Sequence, residues 1–220
     1  MTSVLRIAAI LLCHAAVYAQ TALPVKEWKA SSETPFVLYL SGDGGFNSFS
    51  TSLCTAISKA GYSITSVNAR SYFWNKKTPE QTAQDVLAYL TQQLAGRKNQ
   101  QVVLAGYSFG ADVLPFIVNK LPGSFQKNLI SVLLVAPSTS TDFEVHLSDL
   151  LGSGAKRSMD VVAETNRMNI PRTTTFFGSD DTGFPVQSVR LRNYHNEVLP
   201  GGHHFEGNAE NVARTMLKYF

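Results

Sequence analysis

A chain of 220 residues, 44% hydrophobic and 16% charged, is long enough to bury the core of one compact domain and short for two. The formal net charge is only +3 and no block of lysine or arginine occurs, which argues against a nucleic-acid surface and against a polybasic membrane patch.

The first residues bear on location. Arg6 precedes the apolar run Ile7 to Ala16, and Val17-Tyr18-Ala19 then offers small residues at the cleavage positions before Gln20. This predicts a secretory signal over residues 1–19 and an exported domain over 20–220. The run is too short to span a bilayer comfortably, and no later stretch approaches the roughly 20 apolar residues that a span requires. Leu12 is not the small residue expected before a lipidated cysteine, so Cys13 does not read as an anchor. Removing the signal leaves Cys54 alone, so neither an internal disulfide nor a thiol-metal site is expected.

Leu23 to Thr34 is polar and holds at most a short leading strand. Phe36 to Leu40 reads as a buried strand ending in Ser41-Gly42-Asp43-Gly44-Gly45. A helix is predicted over Ser48 to Ala60, closed by Gly61, and a strand over Tyr62 to Val67. Thr78-Pro79-Glu80-Gln81 has the form of a capping box with proline at the first helical position, opening a helix that runs to about Ala95. Val102 to Leu104 begins another strand, and apolar residues at helical spacing follow over Ala111 to Leu121. Strands are predicted at Leu129 to Ala136, Thr173 to Phe177 and Glu197 to Leu199, with a last helix from about Asn208. Such alternation implies a mainly parallel sheet with helices on both faces and ligands at the carboxyl ends of the strands. Ser138 to Ile170 lacks a clear period and is long enough to carry a short lid.

The run QVVLAGYSFGADVLPF sets Ser108 between Gly106 and Gly110 where a strand breaks into a helix. A GxSxG string alone is weak evidence in a chain with this much glycine and serine, but the strand-turn-helix context makes it a nucleophile elbow. The tight turn forces the serine into a strained conformation with its hydroxyl held outward. The N–H of Phe109 and the helix N-terminus then favour an anionic tetrahedral intermediate.

A serine hydroxyl needs a base, and the base needs an orienting acid. His203 lies in LPGGHHF, after a predicted strand and before the last helix, and is assigned as the base with His204 as the alternative. The HHFE string lacks metalloprotease spacing, so no metal and no cofactor is expected. His146 and His195 read as surface or hydrogen-bonding residues. GSDDTGFP, after the strand Thr173 to Phe177, supplies Asp181 as first choice for the acid and Asp180 as second. One of the pair is expected to cap the turn through its own backbone. The order serine, aspartate, histidine is that of an α/β-hydrolase fold, here with minimal or no cap. The backbone of Asp43 or Gly44 is the expected second oxyanion donor, since the loop lacks the lysine and spacing of a phosphate-binding motif. Asp43 and Asp112 are further expected to give the pocket a negative rim suited to a cationic group. Arg70, Tyr72 and Trp74, with Tyr107, are candidates for lining the pocket, and core packing is the competing reading of the aromatics.

LSGDGGF, RSYFW followed by TPEQTAQD, GYSFGADVLPF, DFEVHL with LG, and LPGGHHFEGN together resemble the VirJ/AcvB family of bacterial virulence proteins, in its short VirJ-like form. The resemblance covers nearly the whole chain after the signal, and GYSFGADVLPF and LPGGHHF are its specific pieces. It implies an α/β-hydrolase fold, a periplasmic location, a link to type IV secretion and to secretion-system proteins, and hydrolysis of the lysyl ester of phosphatidylglycerol. Carried over by position, it implies Ser108 as nucleophile, His203 or His204 as base, and an acid from GSDDTGF. Residues and resemblance converge on a serine hydrolase acting on a lipid-linked or small ester. A non-catalytic periplasmic binding or assembly factor and a general carboxylesterase remain the alternatives.

Overall fold

A computed structural model describes residues 23–146 and 156–220. The expected signal over 1–19 lies outside these residues, as does the middle of the 138–170 stretch. In chain order the elements are β1 (Val25–Trp28), β2 (Phe36–Leu40), α1 (Ser48–Lys59), β3 (Ile64–Val67), α2 (Ala69–Tyr72) and α3 (Pro79–Leu94), then β4 (Val102–Tyr107), α4 (Phe109–Lys120), α5 (Gly123–Gln126) and β5 (Leu129–Val135). There follow β6 (Ser140–Thr141), β7 (Met159–Asp160), α6 (Val161–Thr165), β8 (Thr173–Gly178), β9 (Tyr194–Leu199) and α7 (Ala209–Met216).

Side chains of a strand alternate between the two faces of its sheet, so a strand covered on both faces favours a near-continuous apolar run. In β2 every residue is buried. Phe36, Leu38 and Leu40 join one core layer, while Val37 and Tyr39 join the other. The first layer is completed by α3 and α4 through Val86, Leu90, Leu114 and Ile117. The second is completed by α1 and α7 through Leu53, Ile57, Val212 and Met216. Helices therefore cover both faces, as the alternation of elements predicts.

Among the described residues one sheet runs in the order β1-β3-β2-β4-β5-β8-β9. Every neighbouring pair is parallel except β1 with β3. The chain moves outward from β2 to β3, returns to the other side of β2 with β4, and then moves outward through β5, β8 and β9. The switch point thus falls between β2 and β4, where loops leave in opposite directions and open a crevice at the carboxyl ends of the strands.

Local chemistry matches these boundaries. The Thr78 hydroxyl accepts from the Gln81 N–H at 3.1 Å and the Gln81 side chain accepts from the Thr78 N–H at 3.0 Å, closing the capping box that starts α3. β9 begins three residues before the predicted Glu197, because an edge strand with one unpaired side tolerates the polar Tyr194-His195-Asn196 that periodicity leaves out. The described part of the 138–170 stretch contributes side chains to the core. Phe143, Val145, Val161 and Met168 are buried in the α3–α4 layer, and Asn119 of α4 donates to the Glu164 carboxylate at 2.8 Å. Among the described residues no helix is long and apolar enough to cross a membrane.

Candidate active site

β4 ends at Tyr107 and α4 starts at Phe109, leaving Ser108 as the whole of the connection. Its backbone sits at φ 50 and ψ −122, a region that residues with a side chain rarely occupy. Its N–H donates to the Val135 carbonyl at 2.8 Å, and its carbonyl accepts from the N–H groups of Ala111 at 2.8 Å and Asp112 at 3.0 Å. Sheet and helix together therefore hold the strained residue. A Cβ on Gly106 would stand 2.4 Å from the Gly110 carbonyl oxygen, and one on Gly110 would stand 2.3 Å from the Leu40 carbonyl oxygen. Only glycine allows β2, β4 and the first turn of α4 to approach this closely.

The histidine comes from the loop between β9 and α7. His203 Nε2 lies 3.0 Å from Ser108 Oγ, and His203 Nδ1 lies 3.2 Å from Asp181 Oδ2. Asp181 belongs to the turn after β8, where its N–H donates to the Gly178 carbonyl at 3.0 Å. With Nδ1–H donating to the carboxylate, the lone pair of Nε2 faces the Ser108 hydroxyl, the arrangement that accepts a proton from it. The imidazole is 39% exposed and the carboxylate 20%, so the pair is reachable from solvent without being fully hydrated.

Two of the alternatives that the sequence leaves open point elsewhere. His204 Nδ1 sits 2.7 Å from the Tyr107 hydroxyl, and Asp180 Oδ1 accepts from the Ser179 hydroxyl at 3.0 Å. Of the histidines only His203 is hydrogen-bonded to Ser108, with His204 packed edge to face on it at 5.3 Å, and of the aspartates only Asp181 is hydrogen-bonded to His203. Phe109 is the first residue of α4, and its N–H has no acceptor within the helix. The loop after β2 runs past Ser108: a Cβ on Gly42 would stand 3.4 Å from Ser108 Cβ, and Asp43 and Gly44 follow at once. Its shape is fixed by the Gly45 N–H donating to the Gly42 carbonyl at 3.0 Å.

The proposed pocket lining needs correction. Tyr72 is buried, and its hydroxyl donates to Asp85 Oδ2 at 2.6 Å. Burial, and then that hydrogen bond, push the phenol pKa well above its usual value, so the ring is core. Phe73 is likewise buried, edge-on to Phe109 at 5.2 Å and to Phe143 at 5.7 Å. Trp74 is 50% exposed, and Arg70 is exposed beside Gly45 of the loop after β2. Tyr107 is only 3% exposed, so it braces the site from beneath instead of lining it. His146 pairs with Asp142 at 2.7 Å and His195 lies against Tyr219; neither is engaged with Ser108. Sequence reasoning missed Gly178, where a Cβ would meet the carbonyl oxygens of Gly201 and Gly202 at 2.2 Å. The signal was a glycine closing a buried strand immediately before an acidic turn. Among the described residues no group of three histidine, cysteine or acidic side chains is placed to hold a metal ion.

A parallel sheet that delivers a strained serine at a glycine-flanked strand-to-helix turn, with a histidine from the loop before the last helix, defines an α/β-hydrolase fold. A lipase-esterase related protein from Clostridium acetobutylicum superposes with a TM-score of 0.66 at 14% identity, over 91% of this chain and 100% of its own. A bromoperoxidase from Bacillus anthracis superposes with a TM-score of 0.63 at 12% identity, over 89% and 94%. The thioesterase domain from the curacin biosynthetic pathway does so with a TM-score of 0.58 at 13% identity, over 88% and 94%. The chain belongs to the bacterial virulence protein (VirJ) family, whose pattern matches residues 34–220. No curated protein sequence matches it.

Asp112, expected on the rim, is 6% exposed in the first turn of α4 and accepts the Ser138 N–H at 2.5 Å. Burial, opposed by the Ser138 hydrogen bonds and reinforced weakly by Asp43, pushes its pKa from 3.8 to about 7. A carboxyl whose pKa is raised by folding favours the protonated fold, so its ionisation costs stability progressively as pH rises from about 4 to about 7. Asp112→Asn removes that loss. Thermal melting should show the variant level with wild type at pH 4 and more stable by several degrees at pH 8; equal melting temperatures at pH 8 would mean that the carboxylate is comfortably satisfied.

Proposed function

We propose that this VirJ-family protein is a serine hydrolase that cleaves an ester through an acyl-enzyme, with Ser108 as nucleophile, His203 as general base and Asp181 as the acid that orients it. The observation that carries this reading is the contact of Ser108 Oγ with His203 Nε2 at 3.0 Å, made by residues 95 positions apart in the chain and on a serine held in a strained turn. Such a contact lets Nε2 take the hydroxyl proton as Oγ bonds to the ester carbonyl carbon. The carbonyl oxygen becomes an oxyanion, bound by the Phe109 N–H and by an N–H of Asp43 or Gly44. Collapse breaks the ester bond, and the alcohol departs with the proton from His203. Water then repeats the sequence on the acyl-serine and frees the acid. No step calls for a metal or a cofactor.

The substrate we favour is an aminoacyl ester on a phospholipid head group, the lysyl ester of phosphatidylglycerol, cleaved in the periplasm after removal of residues 1–19 from a domain over 20–220. Three lines support it: the family, one of bacterial virulence proteins; the leader-like pattern of the first residues; and the part-exposed carboxylate of Asp43 on the loop beside Ser108. With Asp112 buried, Asp43 carries the preference for a cationic acyl group.

A fluorophosphonate probe should label wild-type protein and spare Ser108→Ala, whose ester turnover falls by about 10⁴-fold or more; equal labelling of the two would remove Ser108 from the reaction. Asp43→Asn should lower the preference for a lysyl over a norleucyl ester by roughly fivefold, the scale of one partly screened charge pair. An unchanged ratio of kcat/KM values would place the cation elsewhere.

A further inference from the structure

The loop that carries His203 is itself strained. Phe205 and Glu206, neither of them glycine, adopt φ 50 and φ 54, flanked by Gly201 at φ 93 and Gly207 at φ 74. Left-handed residues with side chains are disfavoured and persist only where surroundings over-determine them. Part of the restraint is the burial of Phe205 in the α1–α7 layer. Another part comes from the residue preceding Ser108. The Tyr107 hydroxyl lies 3.3 Å from the His203 carbonyl oxygen and 2.7 Å from His204 Nδ1. Its ring lies 5.8 Å from the His203 ring and 4.8 Å from Phe49 of α1.

A phenol has one proton to give and lone pairs to accept with. Burial above all, and then the charges of Asp43 and Asp181, push the Tyr107 pKa well up, so that proton stays on oxygen. If His204 carries its proton on Nδ1 and donates it to the phenol oxygen, the phenol proton goes to the His203 carbonyl and both contacts are made at once. The other neutral tautomer uses the phenol proton on Nδ1 and leaves the carbonyl without it. The two residues discarded as base and as pocket wall thus brace the main chain of His203 from the strand end that presents Ser108.

We infer that Tyr107 and His204 are a positioning pair that holds the His203 imidazole on the Ser108 hydroxyl. The inference rests on the hydrolase reading above. It assigns no proton transfer with substrate to either residue; their effect is on the distance and direction of one hydrogen bond.

The experiment measures kcat, KM and melting temperature with p-nitrophenyl butyrate for wild type, Tyr107→Phe, His204→Ala, His204→Asn and Ser108→Ala. Tyr107→Phe and His204→Ala should each lower kcat by about 10–100-fold, the cost of misplacing a reacting group by up to an ångström, while KM stays within about twofold. His204→Asn, whose amide offers both a donor and an acceptor, should recover most of the loss. A kcat within twofold of wild type in both Tyr107→Phe and His204→Ala overturns the inference, as does a loss that His204→Asn fails to repair. If Tyr107→Phe does not fold, the alanine and asparagine variants of the exposed His204 decide alone. An inactive Ser108→Ala beside fully active Tyr107→Phe and His204→Ala sinks only the positioning pair, whereas a fully active Ser108→Ala sinks the hydrolase reading with it.

Discussion

The backbone of Ser108 cannot relax, because three other pieces of main chain occupy the space around it. Its N–H is taken by β5 through Val135, its carbonyl by the first turn of α4, and the glycines on either side let α4 press on β4 at Gly106 and the end of β2 press on α4 at Gly110. A φ of 50 at a residue with a side chain would be abandoned in an isolated turn; here every escape breaks a sheet or helix hydrogen bond. The parallel sheet matters to function for that reason. It supplies the restraint that keeps one hydroxyl at the switch point, outside the carboxyl ends of β2 and β4.

The partners of the hydroxyl are delivered by the same device used once more. Gly178, at the end of β8, lies so near the carbonyls of Gly201 and Gly202 that the Asp181 turn and the His203 loop are laid directly on each other. Asp180 strengthens that join by donating its N–H to the Gly201 carbonyl at 3.0 Å. Beneath them, Tyr107 ties the His203 loop back to β4. The three strand ends are therefore linked by main chain and one phenol, and the side chains of Ser108, Asp181 and His203 inherit their spacing from those links. Local strain at Ser108, Phe205 and Glu206 is concentrated within this small region, where surrounding packing can hold it.

Much of this was legible in the residues because each signal had a single physical cause. β2 and β4 are apolar throughout, and β5 is so but for Ser131, because both faces are covered, and the capping box of α3 states its own hydrogen bonds. Ser108 between two glycines predicts a cramped turn because nothing larger fits there. The less legible features depend on direction, which residue type does not encode. His203 and His204 differ only in which way consecutive side chains face, and so do Asp180 and Asp181. Tyr72, Phe73 and Trp74 sit on and just after the single turn of α2, which sends two rings into the core and leaves the third exposed. Asp112 reads as a rim carboxylate because charged residues are usually exposed, yet the first turn of α4 faces the main chain of Ser138.

The account depends on a covalent event at one oxygen. Protein quenched in acid during turnover of p-nitrophenyl butyrate and analysed by peptide mass spectrometry should carry one butyryl group, on the peptide containing Ser108, and Ser108→Ala should carry none. Turnover at the wild-type rate by Ser108→Ala, or a butyryl group found on a different residue in both proteins, would contradict it.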